Sequence, residues 1–228
     1  ALGEATKTIP YVTEQIKSYT FEVKWGEATD SDDSDGKIIH TSQMRPSEQD
    51  ITAILPRFRG EIKQTPPFFS AVKINGRRAY ELARSGEDFD IASRSLFVSS
   101  LRLEKYISEN SAILSLECGK GGYVRSIARD LGLELGCYGH VKWLRRVASG
   151  SFNLSMAHSL DTILKLNKTS AVNDFILPME YGLSTIKHGT CTSTAAEKIK
   201  NGNSAPILCK GARTGDEIWV SYSETPIA

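Results

Sequence analysis

Gly119-Lys120-Gly121-Gly122-Tyr123-Val124-Arg125 holds the residue types best suited to chemistry in this chain. Glycines let a backbone approach a ligand closely. The phenol ring and guanidinium just beyond them can hold a base and a phosphate or carboxylate. The flanks predict how the group is presented. Ala112, Leu114, Leu116 and Cys118 alternate as in a half-buried strand, while Val124, Ile127, Ala128, Leu131 and Leu135 recur at helical spacing. Tyr123 and Arg125 therefore fall in the first turn of a helix, beside its positive dipole end. Taken alone, the seven residues slightly favour a plainer reading: a glycine-softened turn with an incidental Tyr and Arg.

Other groups are weaker one by one. Lys73, Arg77 and Arg78 flank exposed turns, where they fit phosphate contacts or an ordinary surface hairpin. Leu144-Arg145-Arg146 adds two cations beside Lys142. With Lys120 and Arg125 they would form a local basic track, provided they share a face. The acidic run at 30–36 fails as a calcium loop. Placing Gly36 at the sharp turn puts Ser31 first and Ser42 where a bidentate Glu is needed. A solvated loop is the reading that remains. Glycines 119, 121 and 122 match neither the P-loop nor the dinucleotide fingerprint, which argues against a nucleotide cofactor.

The totals bound the rest. A chain of 228 residues, 40% hydrophobic, has room for one large domain and an appendage. Its 28 Lys+Arg against 27 Asp+Glu leave no global footprint for nucleic acid, so any such footprint is local. Cys118, Cys137, Cys191 and Cys209 lie far apart, as reduced thiols of a cytoplasmic protein with no zinc site. No apolar run is long enough to span a bilayer, and no secretory signal is present.

Tyr19, Phe21, Val23 and Trp25 alternate with polar residues as a strand with one buried face. A short strand is expected at 37–40. A helix is expected from Ser47, with Asp50 completing a capping box. Strands are expected at 69–75, 96–107 and 112–118, the last two forming a hairpin around Glu109-Asn110. A short helix is expected at 79–84 and a longer one from Tyr123 to near Gly136, then an extended run at 140–148. Short helices at 160–166 and 171–176 flank a polar linker. After Pro178 the composition shifts, predicting a small module with a helix at 194–200 and strands at 205–209 and 217–222. Strands and helices interleave without a βαβ rhythm, which predicts an α+β fold with a mixed, largely antiparallel sheet.

The order of these blocks resembles the TruB type of bacterial tRNA pseudouridine synthase, which modifies uridine 55 in the T-loop. The matching pieces begin with Leu2-Gly3-Glu4-Ala5-Thr6-Lys7, Tyr19 with Gly26, and the Thr29 to Gly36 run. Phe58-Arg59-Gly60, Gln64-Thr65-Pro66-Pro67, Ser70-Ala71-Val72-Lys73 and Tyr80-Glu81-Leu82-Ala83-Arg84 follow. Cys118 to Arg125, Asp130-Leu131-Gly132 and Leu144-Arg145-Arg146 complete the series, covering most of residues 1 to about 152. Lys200-Asn201-Gly202 is the clearest point of likeness to the family's C-terminal PUA-like module.

The resemblance implies a catalytic domain at 1–182 and an RNA-binding module at 183–228. It implies a cleft for a flipped uridine, with Tyr19 stacking on the base and Tyr123 and Leu144 lining its pocket. Arg125 would pair with the catalytic carboxylate, and Lys73, Arg77, Lys120, Arg145 and Arg146 would grip the RNA backbone. It implies the T-stem-loop of tRNA as partner, a monomer, and neither metal nor organic cofactor. There are departures. Gly122 stands where the family usually carries Thr, which would loosen the turn that presents Tyr123. The family's nucleophile lies in a Gly-Thr-Leu-Asp-Pro-type motif just ahead of the block that opens this chain. The expectation is therefore that the aspartate precedes residue 1, and that the 228 residues alone form no pseudouridine. Both chain ends read as cuts in something longer. A non-catalytic tRNA-binding or tRNA-folding protein and a non-functional remnant are the alternatives.

Overall fold

A computed structural model describes residues 1–166 and 169–227. The chain packs as two bodies, Gln15–Ser149 and a second made of Ala1–Glu14 with Gly150–Ala228.

In the first body the main sheet runs in the order Gly139–Ser149, Lys17–Trp25, Ser111–Cys118, Arg94–Ser108 and Gly60–Gln64, with every neighbour antiparallel. Alternation in the sequence explains the buried face. Phe21, Val23 and Trp25 of one strand and Ala112, Leu114 and Leu116 of the next are essentially inaccessible. The Val124–Glu134 helix covers that face with Val124, Ile127, Ala128 and Leu131. The expected hairpin turns at Glu109-Asn110. The Glu48–Ile54 helix has its capping box: Ser47 accepts from the Asp50 N–H, and Asp50 accepts from the Ser47 N–H. Pro56 follows in a 3-10 turn, Leu55–Phe58, which ends the element.

The segment at 69–75 corrects the expectation of a strand. Only Lys73–Ile74 pairs, with Arg77–Arg78. The carbonyls of Ser70 and Val72 instead accept from Tyr80 and Ala79, because the chain folds back onto the head of the Ala79–Ser85 helix.

Gly132 decides how closely the long helix meets the sheet. A Cβ there would lie 2.2 Å from the Gly139 nitrogen and 2.3 Å from the Tyr138 carbonyl carbon. The Gly132 carbonyl accepts from both Cys137 and Tyr138. Backbone cannot yield as a side-chain tip does. Gly132→Ala is therefore expected to lower stability by about 1–3 kcal/mol, read as a shifted urea midpoint. An unchanged midpoint would contradict this packing.

In the second body, Gly3–Thr8 and Ile9–Glu14 pack on Met179–Leu183; a Cβ on Gly182 would meet the Thr8 hydroxyl at 2.6 Å. That packing groups the opening residues with the C-terminal portion. Lys187–Thr190 runs parallel to Ile218–Tyr222, which pairs antiparallel with Thr225–Pro226. The Ser193–Lys200 helix is capped by Thr192. The expected strand at 205–209 is reduced to one bridge, Thr190 with Leu208. Leu160–Leu164 and Thr169–Asn173 are the two short helices; part of their linker, residues 167 and 168, lies outside the described residues, as does Ala228. Among the described residues no helix is long and apolar enough to cross a membrane.

Candidate active site at one end of the sheet

Cys118, the last residue of its strand, pairs with Lys17, the first of the next. The glycine turn therefore leaves the sheet at the end where Tyr19 enters it. Gly119 N–H donates to the Phe97 carbonyl at 2.9 Å, holding the turn to the neighbouring strand. Gly121 takes a left-handed φ of +84°, which suits a residue without a Cβ. Gly122 does not loosen the turn: a Cβ there would lie 2.6 Å from Cys118 Sγ and about 3.1 Å from Leu96 Cδ1. The missing side chain is filled by packing.

Tyr123 is the N-cap of the helix, and its own side chain makes no capping bond. Gln64 supplies the support. Its Oε1 accepts from the Tyr123 N–H at 2.8 Å, and its Nε2 donates to the Tyr123 carbonyl at 3.1 Å. With Gln64 only 3% exposed, this is a buried two-point clamp. Sequence reasoning gave Gln64 no role. Its signal was its place in the Gln64-Thr65-Pro66-Pro67 block that resembles the family.

Arg125 spreads its fork over three acceptors: the Ser31 carbonyl (3.1 Å), Asp33 Oδ2 (3.0 Å) and the Phe69 carbonyl (2.9 Å). Asp33 is itself fully engaged. Its Oδ1 accepts from the Ser31 hydroxyl (2.7 Å) and the Asp35 N–H (3.1 Å). Asp33 is thus a counter-ion that aims the guanidinium, and its tied oxygens do not suit a nucleophile. These bonds correct the reading of 30–36 as a solvated loop. Asp32 beside it is buried, at a left-handed φ of +60°. It pairs with Arg129 at 3.0 Å. Burial pushes the Asp32 carboxyl up to about 6, against the pull of Arg129. The run looked like loop because its polar composition hides that its partners are arginines more than 90 residues away.

Tyr19 lies opposite Leu116 on one side and Arg146 on the other. It is half-buried at the margin of the main core. Burial raises its phenol, Cys118 adds to that, and Arg146, which hydrogen-bonds it, pulls back. Leu144 sits opposite Phe21, 46% exposed. Directly opposed residues share a face, so Tyr19, Leu144 and Arg146 line one side of the sheet. Arg145 does not join them: it opposes Thr20, on the other face. Lys142 and Trp143 also turn to that other face, where both bind the buried Glu22. The basic track is therefore narrower than expected. Arg77 is tied to Glu87 at 2.9 Å, and Arg78 reaches the Ala71 carbonyl at 2.8 Å. Lys73 and Lys120 are exposed cations on the Lys73–Ile74 hairpin and in the glycine turn.

This fold recurs in solved structures. It matches a chain in the crystal structure of a Cbf5-Nop10-Gar1 complex with a TM-score of 0.70 at 21% identity, over 98% of this chain and 61% of that one. A second match is the structure of an H/ACA RNP bound to a substrate RNA containing 2'-deoxyuridine, with a TM-score of 0.68 at 18% identity, over 98% and 60% of the two chains. At these identities the likeness is one of fold.

Sequence comparison goes further. Residues 1–124 match the TruB family pseudouridylate synthase N-terminal domain, and residues 125–184 the tRNA pseudouridylate synthase B C-terminal domain. The tRNA pseudouridine synthase B of Dinoroseobacter shibae is 48% identical over all 228 residues, which span 75% of its length. That of Ruegeria pomeroyi is 45% identical over the same residues and share, and that of Ehrlichia canis 43% over 232 residues and 77% of its length. The chain belongs to the TruB family of pseudouridylate synthases, and by family it is an isomerase. Relatives named as synthases along its whole length do not favour a non-catalytic binder or a remnant.

Proposed function

We propose that this chain forms the substrate-handling part of a synthase that converts uridine 55 in the tRNA T-loop to pseudouridine. One observation carries the reading. Tyr19, Leu144 and Arg146 share a face at the sheet end from which the Tyr123–Arg125 turn emerges. A stacked base hides its reacting edge, so the uridine must be turned out of the loop. Tyr19 stacks on it; Tyr123 and Leu144 bound its pocket. Arg125 faces the catalytic aspartate of the family's Gly-Thr-Leu-Asp-Pro-type motif and keeps it ionised, as a nearby cation does. The glycosidic bond breaks, the uracil turns, and its C5 bonds to the ribose. Lys73, Lys120 and Arg146 contact phosphates, whereas Arg145 on the other face and Arg77 in its pair with Glu87 are set apart from that track. The module at 183–228, of PUA-like type, extends the grip on RNA.

The test is conversion of a T-stem-loop RNA by the protein carrying that motif ahead of Ala1. Tyr19→Ala and Tyr123→Ala should each weaken handling of the base by about 1–3 kcal/mol, the usual loss per stacked ring. Single-turnover rates and RNA affinity, measured separately, report where the loss falls. Both variants converting RNA at the parent rate would remove the proposed pocket.

A further inference from the structure

We infer that Arg129 and Asp32 are positioning residues, which together hold the supports of both Arg125 and Tyr123. The inference rests on the reading of those two as site residues. Arg129 lies one helical turn after Arg125, on the same side of the Val124–Glu134 helix. Its guanidinium makes three bonds in three directions: Nη1 to Asp32 Oδ2 at 3.0 Å, Nη2 to the Thr65 carbonyl at 2.8 Å, and Nε to Asp130 Oδ1 at 2.9 Å.

Two of those partners are chain neighbours of the site's supports. Asp32 precedes Asp33, the counter-ion of Arg125. Thr65 follows Gln64, the clamp on Tyr123. The Thr65 carbonyl also accepts from the Ser126 hydroxyl at 2.8 Å, so the same helix holds that peptide twice. Asp32 is fixed from the other side by its backbone, whose carbonyl accepts the Val141 N–H at 3.1 Å. With Arg129 and Asp32 side chains only 22% and 11% exposed, water cannot readily replace a lost partner. One guanidinium therefore ties together the acidic loop, the Gln64-Thr65 segment and the helix that carries Tyr123 and Arg125.

The charged groups acting on Asp32 are Arg129, Asp130 and Arg125, all from the helix; its chain neighbour Asp33 is turned to Arg125. The Gly139–Ser149 strand meets the loop through backbone, and its Lys142 is paired with Glu22. As pH falls through about 6, Asp32 takes up a proton and its charge no longer holds Arg129. The catalytic constant should therefore fall on the acid side with an inflection in that region.

The test compares Arg129→Ala, Arg129→Lys and Asp32→Asn with Arg125→Ala, all in the protein carrying the family's aspartate motif, on a T-stem-loop RNA. Arg129→Ala and Asp32→Asn should lower kcat tenfold or more, toward the roughly 10²-fold that a misplacement of about 1 Å can cost, with KM little changed. Arg129→Lys keeps the charge but not the fork, and should stay impaired. Asp32→Asn should lose the acid inflection. Thermal melts identify any variant that fails to fold. If Arg129→Ala does so, the Lys and Asn variants decide. Should Arg125→Ala remain active, the site reading itself fails. Should Arg125→Ala be inactive while folded Arg129 and Asp32 variants keep the parent kcat, or keep the acid inflection in Asp32→Asn, the positioning role is overturned and the site reading stands.

Discussion

Arg125→Ala is expected to lower single-turnover conversion of a T-stem-loop RNA by about 10²–10³-fold, the scale seen when one preorganised charge-stabilising donor is removed from an active site. RNA affinity should change far less. The reason is geometric. The guanidinium is held by Asp33 and by two carbonyls from separate segments, Ser31 and Phe69. The restraint leaves its charge aimed rather than mobile. Truncation removes that charge and leaves Asp33 without its partner, in a setting where each side chain is about one-quarter exposed. Arg125→Lys should rescue little, since an ammonium cannot meet three acceptors arranged around a planar fork. Activity within tenfold of the parent in Arg125→Ala would mean the residue is structural and the catalytic reading is wrong.

Gln64→Ala is expected to cost about 1–3 kcal/mol of stability. The Tyr123 N–H would be stranded in a buried site, at roughly 1–3 kcal/mol, while its carbonyl keeps the Ile127 N–H. Turnover should fall with it, because Tyr123 is the residue the clamp fixes. Gln64→Glu separates the two bonds. The carboxylate can still accept from the Tyr123 N–H but cannot donate to its carbonyl, and it buries an unpaired charge, so its loss should be at least as large as that of the alanine. Urea denaturation gives the stability and conversion of the stem-loop gives the function. A Gln64→Ala protein with parental stability would show that the clamp is not formed in solution.

Much of the site was legible in the one-dimensional pattern, for local reasons. The turn from strand to helix at 119–123 followed from alternation at period two giving way to spacing at 3.6, with glycines between. The capping box at Ser47 and Asp50 was similarly local and is present. Errors arose where distant segments decided the outcome. The strand expected at 69–75 lost most of its length because its carbonyls found helix-head N–H groups instead of a neighbouring strand. The acidic run reads as solvated in the sequence because it fails the register of a calcium loop. Its arginines come from a helix about 90 residues downstream.

Arg145 and Arg146 show the limit most simply. Adjacent in the chain, they were assigned the same role. Strand geometry sends consecutive side chains to opposite faces, and pairing with Thr20 and Tyr19 settled which went where. That pairing includes register shifts on either side of the Tyr19–Glu22 stretch, which no local pattern announced.

Residue order therefore established the family, the element types and the ring and guanidinium at the helix head, since each depends on neighbours within a few positions. Folding in three dimensions selected the partners: Gln64 for Tyr123, Asp33 for Arg125, Asp32 for Arg129, and one face rather than the other for each cation. Those choices depend on which strands pair and in what register, and on burial strong enough to make each charge seek a counter-charge. Both are properties of the packed chain.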